Sequence, residues 1–135
     1  MNKPPIISLP RLRASRALKF AVVGGTGVIV NASVLYLASW AGLSLVVASV
    51  LAVELAAISN YLLNDTWTFA ARSRSLRRFA KFNTASIVGL ALNVLSVLVL
   101  TRLGLYLLVA DLIGIAVGFA ANYALSVRWV WAREA

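Results

Sequence analysis

The sequence predicts an all-α integral membrane protein whose four transmembrane helices form two parallel-repeat helical hairpins, with both termini inside. Three observations carry this. Only 13% of the 135 residues are charged and 61% are hydrophobic, with a mean hydropathy of +0.89, whereas a soluble domain carries roughly 25% charged residues. Four apolar runs each approach the ~20 residues that cross a ~30 Å hydrocarbon core. The chain also realigns on itself, without a gap, at an offset of 62 positions. Arg16, Lys19 and Phe20 fall on Arg78, Lys81 and Phe82. Gly27, Asn31, Gly42, Asn60 and Trp67 fall on Gly89, Asn93, Gly104, Asn122 and Trp129, and 15 of the 57 pairs from 16 to 72 are identical. Apolar composition alone would match Leu, Val and Ala; it would not hold two Asn, a Trp and an Arg-Lys pair in register.

Residues 1–15 hold the three prolines, Lys3, Arg11 and Arg13, and read as a short disordered basic tail ahead of a transmembrane domain at 16–131. A signal peptide is disfavoured, because the next apolar run is too long and no small-residue cleavage site ends it. The first helix is expected over about Phe20–Ser39 and the second over Leu43–Leu63, with Glu54 inside it. A basic link, Ala70–Lys81, precedes a third helix over Phe82–Thr101 and a fourth over Leu103–Val127, which contains Asp111. Gly42 and Gly104 mark tight hairpin turns, so repeat 1 covers 16–72 and repeat 2 covers 78–134.

Orientation follows from Lys and Arg. Five precede the first helix (Lys3, Arg11, Arg13, Arg16, Lys19), five sit in or beside the central link (Arg72, Arg74, Arg77, Arg78, Lys81) and two end the chain (Arg128, Arg133). Only Arg102 lies on the other side. The positive-inside rule therefore puts both termini and the central link in the cytoplasm, and the protein in the inner (cytoplasmic) membrane. Trp40 and Tyr106 then mark the outer interface, and Trp67, Phe69, Trp129 and Trp131 the inner one. Two hairpins of the same orientation imply a pseudo-two-fold axis along the membrane normal. Small residues every fourth position, Ala48/Ala52/Ala56 with Asn60 and Ala110/Gly114/Gly118 with Asn122, suit close helix packing, and the Gly114/Gly118 stripe suggests a homodimer.

The net charge of +9 lies in blocks between apolar runs, which points to membrane orientation and anionic lipid and away from nucleic acid. With no Cys and no His, disulfides, thiol nucleophiles, imidazole bases and the usual metal ligands are excluded, and no cofactor or metal is expected. A single membrane carboxylate is poor material for acid–base chemistry, so an enzyme is not expected.

The polar residues within the apolar runs are the candidate functional groups. A mid-membrane acid costs about 2.5–3.5 kcal/mol on insertion scales, which makes Glu54 a functional residue by default. At 1.5 Å of rise per residue it lies roughly 20 Å from the cytoplasmic interface, level with Asn31 and Asn93, while Asn60 and Asn122 lie about 10 Å deep. These five groups form a polar ladder for substrate, and each Asn can equally serve as a hydrogen-bonded packing contact; Asn64 and Asp65, at the inner end of the second helix, suit a head group or pairing with the rim arginines. Glu54 has no mate, since Ala116 holds the equivalent position. At the cytoplasmic starts of the first and third helices, Arg16/Lys19 and Arg78/Lys81 share a helix face. There the free N–H groups and the two cations suit a lipid phosphate, or serve as plain membrane anchors.

The run Phe20-Ala-Val-Val-Gly-Gly-Thr-Gly-Val-Ile-Val-Asn31 resembles the first-helix motif of the GtrA-like family of small four-helix membrane proteins. Val53-Glu54 followed by Asn60-Tyr61-Leu62-Leu63-Asn64-Asp65-Thr66-Trp67-Thr68-Phe69 resembles that family's second-helix signature. Ala121-Asn122-Tyr123 and Arg128-Trp129-Val130-Trp131 resemble its weaker second copy. The likeness runs from Arg16 to Trp131, nearest to the variety fused to polyprenol-phosphate mannosyltransferases; Tyr61, Tyr123 and Thr66 depart from it. The resemblance implies flipping of a polyprenyl-phosphate-linked sugar, such as undecaprenyl-phosphate glucose, to the outer leaflet for surface polysaccharide synthesis. It also implies a partner glycosyltransferase that makes the lipid. Two other readings stay open: a non-transporting recruitment subunit of that enzyme, and a small proton-coupled exporter built on Glu54.

Overall fold

The computed structural model describes the backbone of residues 9–133 and the side chains of 14–133. Lys3, in the expected tail, and Glu134, at the expected end of repeat 2, lie outside the described residues. The chain divides into two compact units, Met1–Ala70 and Ala71–Ala135. The first contains α1 (Leu9–Trp40) and α2 (Leu45–Leu63); the second contains α3 (Leu76–Arg102) and α4 (Leu107–Leu125). All four are long and apolar enough to cross a membrane, and there is no strand among the described residues.

Each hairpin turns on a glycine at positive φ, Gly42 at 90° and Gly104 at 89°. The two turns share one bonding pattern. Leu43 N–H reaches the Ala38 carbonyl at 3.1 Å and Leu105 N–H reaches Leu100 at 3.0 Å, while the glycine N–H groups reach Ser39 and Thr101. This six-to-one closure satisfies the last helical carbonyls and needs a residue without Cβ at the left-handed position. Ser44 then caps α2, its hydroxyl accepting from Val47 N–H, and Ser75 caps α3 by accepting from Arg78 N–H. The Ser75 cap starts α3 six residues ahead of the apolar run that announced it. The start of α1 at Leu9 likewise falls inside the segment expected to be a disordered tail.

The small-residue stripes are buried within their own hairpins. Ala48, Ala52 and Ala56 are buried on α2, and Ala110, Gly114 and Gly118 on α4. A Cβ on Gly118 would lie 2.6 Å from the Gly89 carbonyl oxygen, and one on Gly89 would lie 2.7 Å from that of Gly118. Backbone touches backbone there, the approach that small residues permit in lipid. The Gly114/Gly118 stripe is therefore occupied by α3 and is not the dimer surface the sequence suggested. Large side chains such as Leu18, Ile29, Leu37, Val50 and Leu112 point outward, as expected where lipid is the solvent.

Both α2 and α4 run directly into one π-helical turn, Asn64–Thr68 and Ser126–Val130. Phe69 N–H bonds the Asn64 carbonyl and Trp131 N–H bonds that of Ser126, each at 2.9 Å. These turns pack on the starts of α1 and α3 within their units. Phe20 meets Phe69 edge to face at 6.3 Å, and Phe82 meets Trp131 at 5.6 Å.

Candidate functional site

At the basic end of the second unit, the capped start of α3 and the π turn after α4 enclose a cavity of about 310 Å³. Ser75, Arg77, Arg78, Lys81, Arg128, Trp129 and Arg133 line it with Val130 and Ala132. Five of these side chains are cationic, and none of the described lining residues is acidic. Arg78 is held by a 2.7 Å bond from its guanidinium to the Ser73 carbonyl, and Lys81 lies over the Trp129 ring at 5.3 Å. A cation over an aromatic face is positioned without losing its charge. Together with the N–H groups at the helix start, the set is chemically suited to an anion such as phosphate.

The same elements in the first unit are arranged differently. Lys19 lies over Trp67 at 5.2 Å, and its ammonium also reaches the Trp67 carbonyl at 3.5 Å. The π turn that packs on α1 holds three buried polar residues, Asn64, Asp65 and Thr68, with Asp65 only 1% exposed. Thr68 donates to Asn64 Oδ1 at 2.8 Å. The equivalent positions in the second unit are Ser126, Val127 and Val130. Asn64 and Asp65 thus belong to the buried core of the first unit's basic end and do not lie open on a substrate path.

Deeper along the second hairpin lies a notch of about 220 Å³, lined by Ser86, Gly89, Asn93, Gly118, Phe119 and Asn122 with Leu90 and Ile115. Asn122 donates weakly to the Ser86 hydroxyl at 3.5 Å and accepts from Ser126 at 3.4 Å. Phe119 stacks on Tyr123 with 6.1 Å between centroids. Two expected site residues, Asn93 and Asn122, are thereby brought into one polar opening. In the first unit Asn60 packs directly against Gly27, and its Oδ1 is buried without a hydrogen-bond partner. Asn31 is half-buried on α1.

Glu54 is exposed on α2. Two residues from each of the buried Ala52 and Ala56, it points roughly 160° away from the face that meets α1. The first hairpin therefore does not pair it with Asn31. Residues that sequence reasoning left out of the site are Ser75, Arg77, Arg128 and Arg133 at the cavity and Ser86 and Phe119 at the notch. The arginines were visible as orientation charges, Arg128 also as part of the second-copy signature, and a lone Ser or Phe in an apolar helix gives no signal of its own.

Comparison with known proteins gives two findings. The GtrA/DPMS transmembrane-domain family matches residues 19–131. A dolichol-phosphate mannosyltransferase from Pyrococcus furiosus is 34% identical over 119 residues, which cover 87% of this chain and 34% of that protein. The chain thus spans about a third of that relative's length.

Proposed function

This chain belongs to the GtrA/DPMS transmembrane-domain family, and from that premise we propose that it carries a polyprenyl-phosphate-linked monosaccharide from the cytoplasmic to the outer leaflet. The observation that carries the proposal is the pairing, in one hairpin, of a cationic cavity with a deeper polar notch. Lys81 at the cavity precedes Ser86 and Asn93 at the notch by roughly 8 and 18 Å along α3. A headgroup phosphate in the cavity brings a sugar to the amides and hydroxyl of the notch, with Phe119 at its edge, while the prenyl chain stays in lipid. The phosphate enters at the basic helix starts, whose excess of Lys and Arg favours the cytoplasmic side. A cationic cargo fits poorly with five cations at the mouth, which weighs against the exporter reading.

Transfer chemistry we assign to a partner, a membrane glycosyltransferase that makes the lipid-linked sugar. The mannosyltransferase relative supports this, since about two thirds of its length lies outside the match. The same observation favours a second reading, in which this chain recruits such an enzyme and moves nothing.

Reconstitution separates the two. Purified protein in liposomes should accelerate movement of a polyprenyl-phosphate sugar between leaflets, followed with a leaflet-selective probe. Replacing Arg78 and Lys81 together by Ala should remove most of that acceleration. Movement no faster than in protein-free liposomes would leave only the recruitment reading.

A further inference from the structure

We propose that Ser75 is a phosphorylation site, and that a phosphate carried on its hydroxyl seats in the cationic cavity and shuts the lipid phosphate out of it. The consequence for the lipid rests on the preceding reading; the modification site itself does not.

Three features meet at Ser75. It is the N-cap of α3, with φ −146° and ψ 122°, and its Oγ accepts from Arg78 N–H at 3.3 Å. It lines the cavity of about 310 Å³ beside Arg77, Arg78, Lys81, Arg128 and Arg133, and supplies the only hydroxyl among the described lining residues. Residues 70–75, which lead to it, are neither helix nor strand, and Arg72, Ser73 and Arg74 are exposed. The hydroxyl is thus held at the cavity and reached through an exposed basic segment. Its mate in the first repeat is Arg13, so the acceptor is not duplicated.

Arg72 and Arg74 stand three and one residues before Ser75, and Leu76, 87% exposed, follows it. That pattern complements a serine kinase with an acidic substrate cleft. The excess of Lys and Arg favours the cytoplasmic side for this link, where such an enzyme finds its nucleotide. In the transfer, Oγ attacks the γ-phosphorus of a nucleoside triphosphate. The Oγ–P bond forms as the bridge to the β-phosphate breaks, the diphosphate leaves, and the hydroxyl proton passes to the kinase's base.

A phosphate on an N-cap serine brings a charge of about −1.5 to −2 and three acceptor oxygens to the positive end of a helix. Here it also meets an open volume ringed by five cations, which supply charge-assisted donors. A group tethered in this way stands at an effective concentration on the order of millimolar or above. A lipid phosphate arriving from the membrane must displace it, so modification closes the site. Ser73 is the internal contrast. It is exposed between Arg72 and Arg74, and its carbonyl accepts from the Arg78 guanidinium at 2.7 Å, but it does not line the cavity.

The full chain in detergent serves for the test. With ATP and the catalytic subunit of a cyclic-AMP-dependent kinase, label should map to Ser75 and fall severalfold in Arg72→Ala with Arg74→Ala. Label confined to Ser73, or no label, overturns the acceptor assignment. Phosphoserine is then encoded at position 75 or, as a control, at position 73. Its second ionisation, ordinarily at about 6, should fall by about one unit or more at position 75 in a phosphorus NMR titration, because the cavity cations favour the dianion. Arg77→Ala with Arg133→Ala, two exposed side chains, should restore most of that shift at 75 and leave 73 nearly unmoved. Native mass spectrometry with farnesyl phosphate reads the competition: the chain phosphorylated at 75 should bind about tenfold more weakly than the unmodified chain, and that phosphorylated at 73 within about twofold of it. Ser75→Asn, which keeps a cap without a charge, should bind as the unmodified chain does. An unshifted ionisation at 75, or equal lipid binding by the two phosphorylated chains, overturns the proposal. A shifted ionisation in a chain whose unmodified form binds no farnesyl phosphate fails the lipid reading alone and leaves the modification site.

Discussion

Asn60 and Asn122 occupy the same place in the two repeats but have unequal partners. Asn122 has the Ser86 hydroxyl beside it, whereas the position equivalent to Ser86 is Gly24. A Cβ at Gly24 would meet nothing within 4 Å, so there is room for a side chain. Gly24→Ser should therefore give the Asn60 amide a hydroxyl partner and remove a helix-interior glycine. Both effects stabilise, by about 0.5–1.5 kcal/mol each, and detergent-solubilised protein should melt at a higher temperature. Gly27 gives the opposite sign, because any Cβ there collides with the Asn60 side chain. Gly27→Ala should destabilise by about 1–3 kcal/mol, while Gly25→Ala, which meets nothing within 4 Å, should be neutral or mildly stabilising in the same melt. The sequence offered both Asn residues alike, as a site group or as a packing contact. It did not show that one is a packing contact and the other lines an opening, because that depends on Ser86 against Gly24, a difference no periodicity records.

At the scale of elements, helix number and hairpin turns were legible because they depend on local chemistry: apolar length, and Gly42 and Gly104 where φ must be positive. Helix starts were less legible. Ser75 extends α3 into the basic link, since a cap and a helix-compatible run of Leu, Arg and Phe outweigh the lack of a continuous apolar stretch. The π turns left no sequence trace, because Asn-Asp-Thr-Trp-Thr is as compatible with an ordinary turn. In the first unit the wide turn is held by the Thr68–Asn64 bond, whereas the second has Val130 and Ser126 at those places. Thr68→Val should cost about 1 kcal/mol by leaving Asn64 Oδ1 buried with one fewer donor. Protection of the Phe69 amide in hydrogen exchange should fall, while that of Trp131, in the other unit, stays unchanged.

For the molecule as a whole, the duplicated residues build the frame and the unduplicated ones set the asymmetry. Asp65 is spent inside the first unit's core, but Glu54 is not: it stands exposed among Val53, Leu55 and other outward apolar side chains at the middle of α2. Rise per residue fixes the place of Glu54 along α2 but not its azimuth, where Ala52 and Ala56 take the face toward α1. A carboxyl group kept in that position at about 2.5–3.5 kcal/mol against insertion contributes nothing to its own hairpin's packing. Under the proposed transport, it supplies the headgroup hydroxyls with an acceptor during a crossing otherwise made in hydrocarbon. Glu54→Gln keeps shape and an acceptor but removes the ionisable group. The variant should insert at least as well as the parent chain and melt no lower, yet move the lipid-linked sugar at least tenfold more slowly in liposomes. Binding of farnesyl phosphate, a short polyprenyl phosphate, should be unchanged. Transport at the parental rate would show that Glu54 has no part in the crossing, and a drop in both transport and melting temperature would make it a structural residue instead.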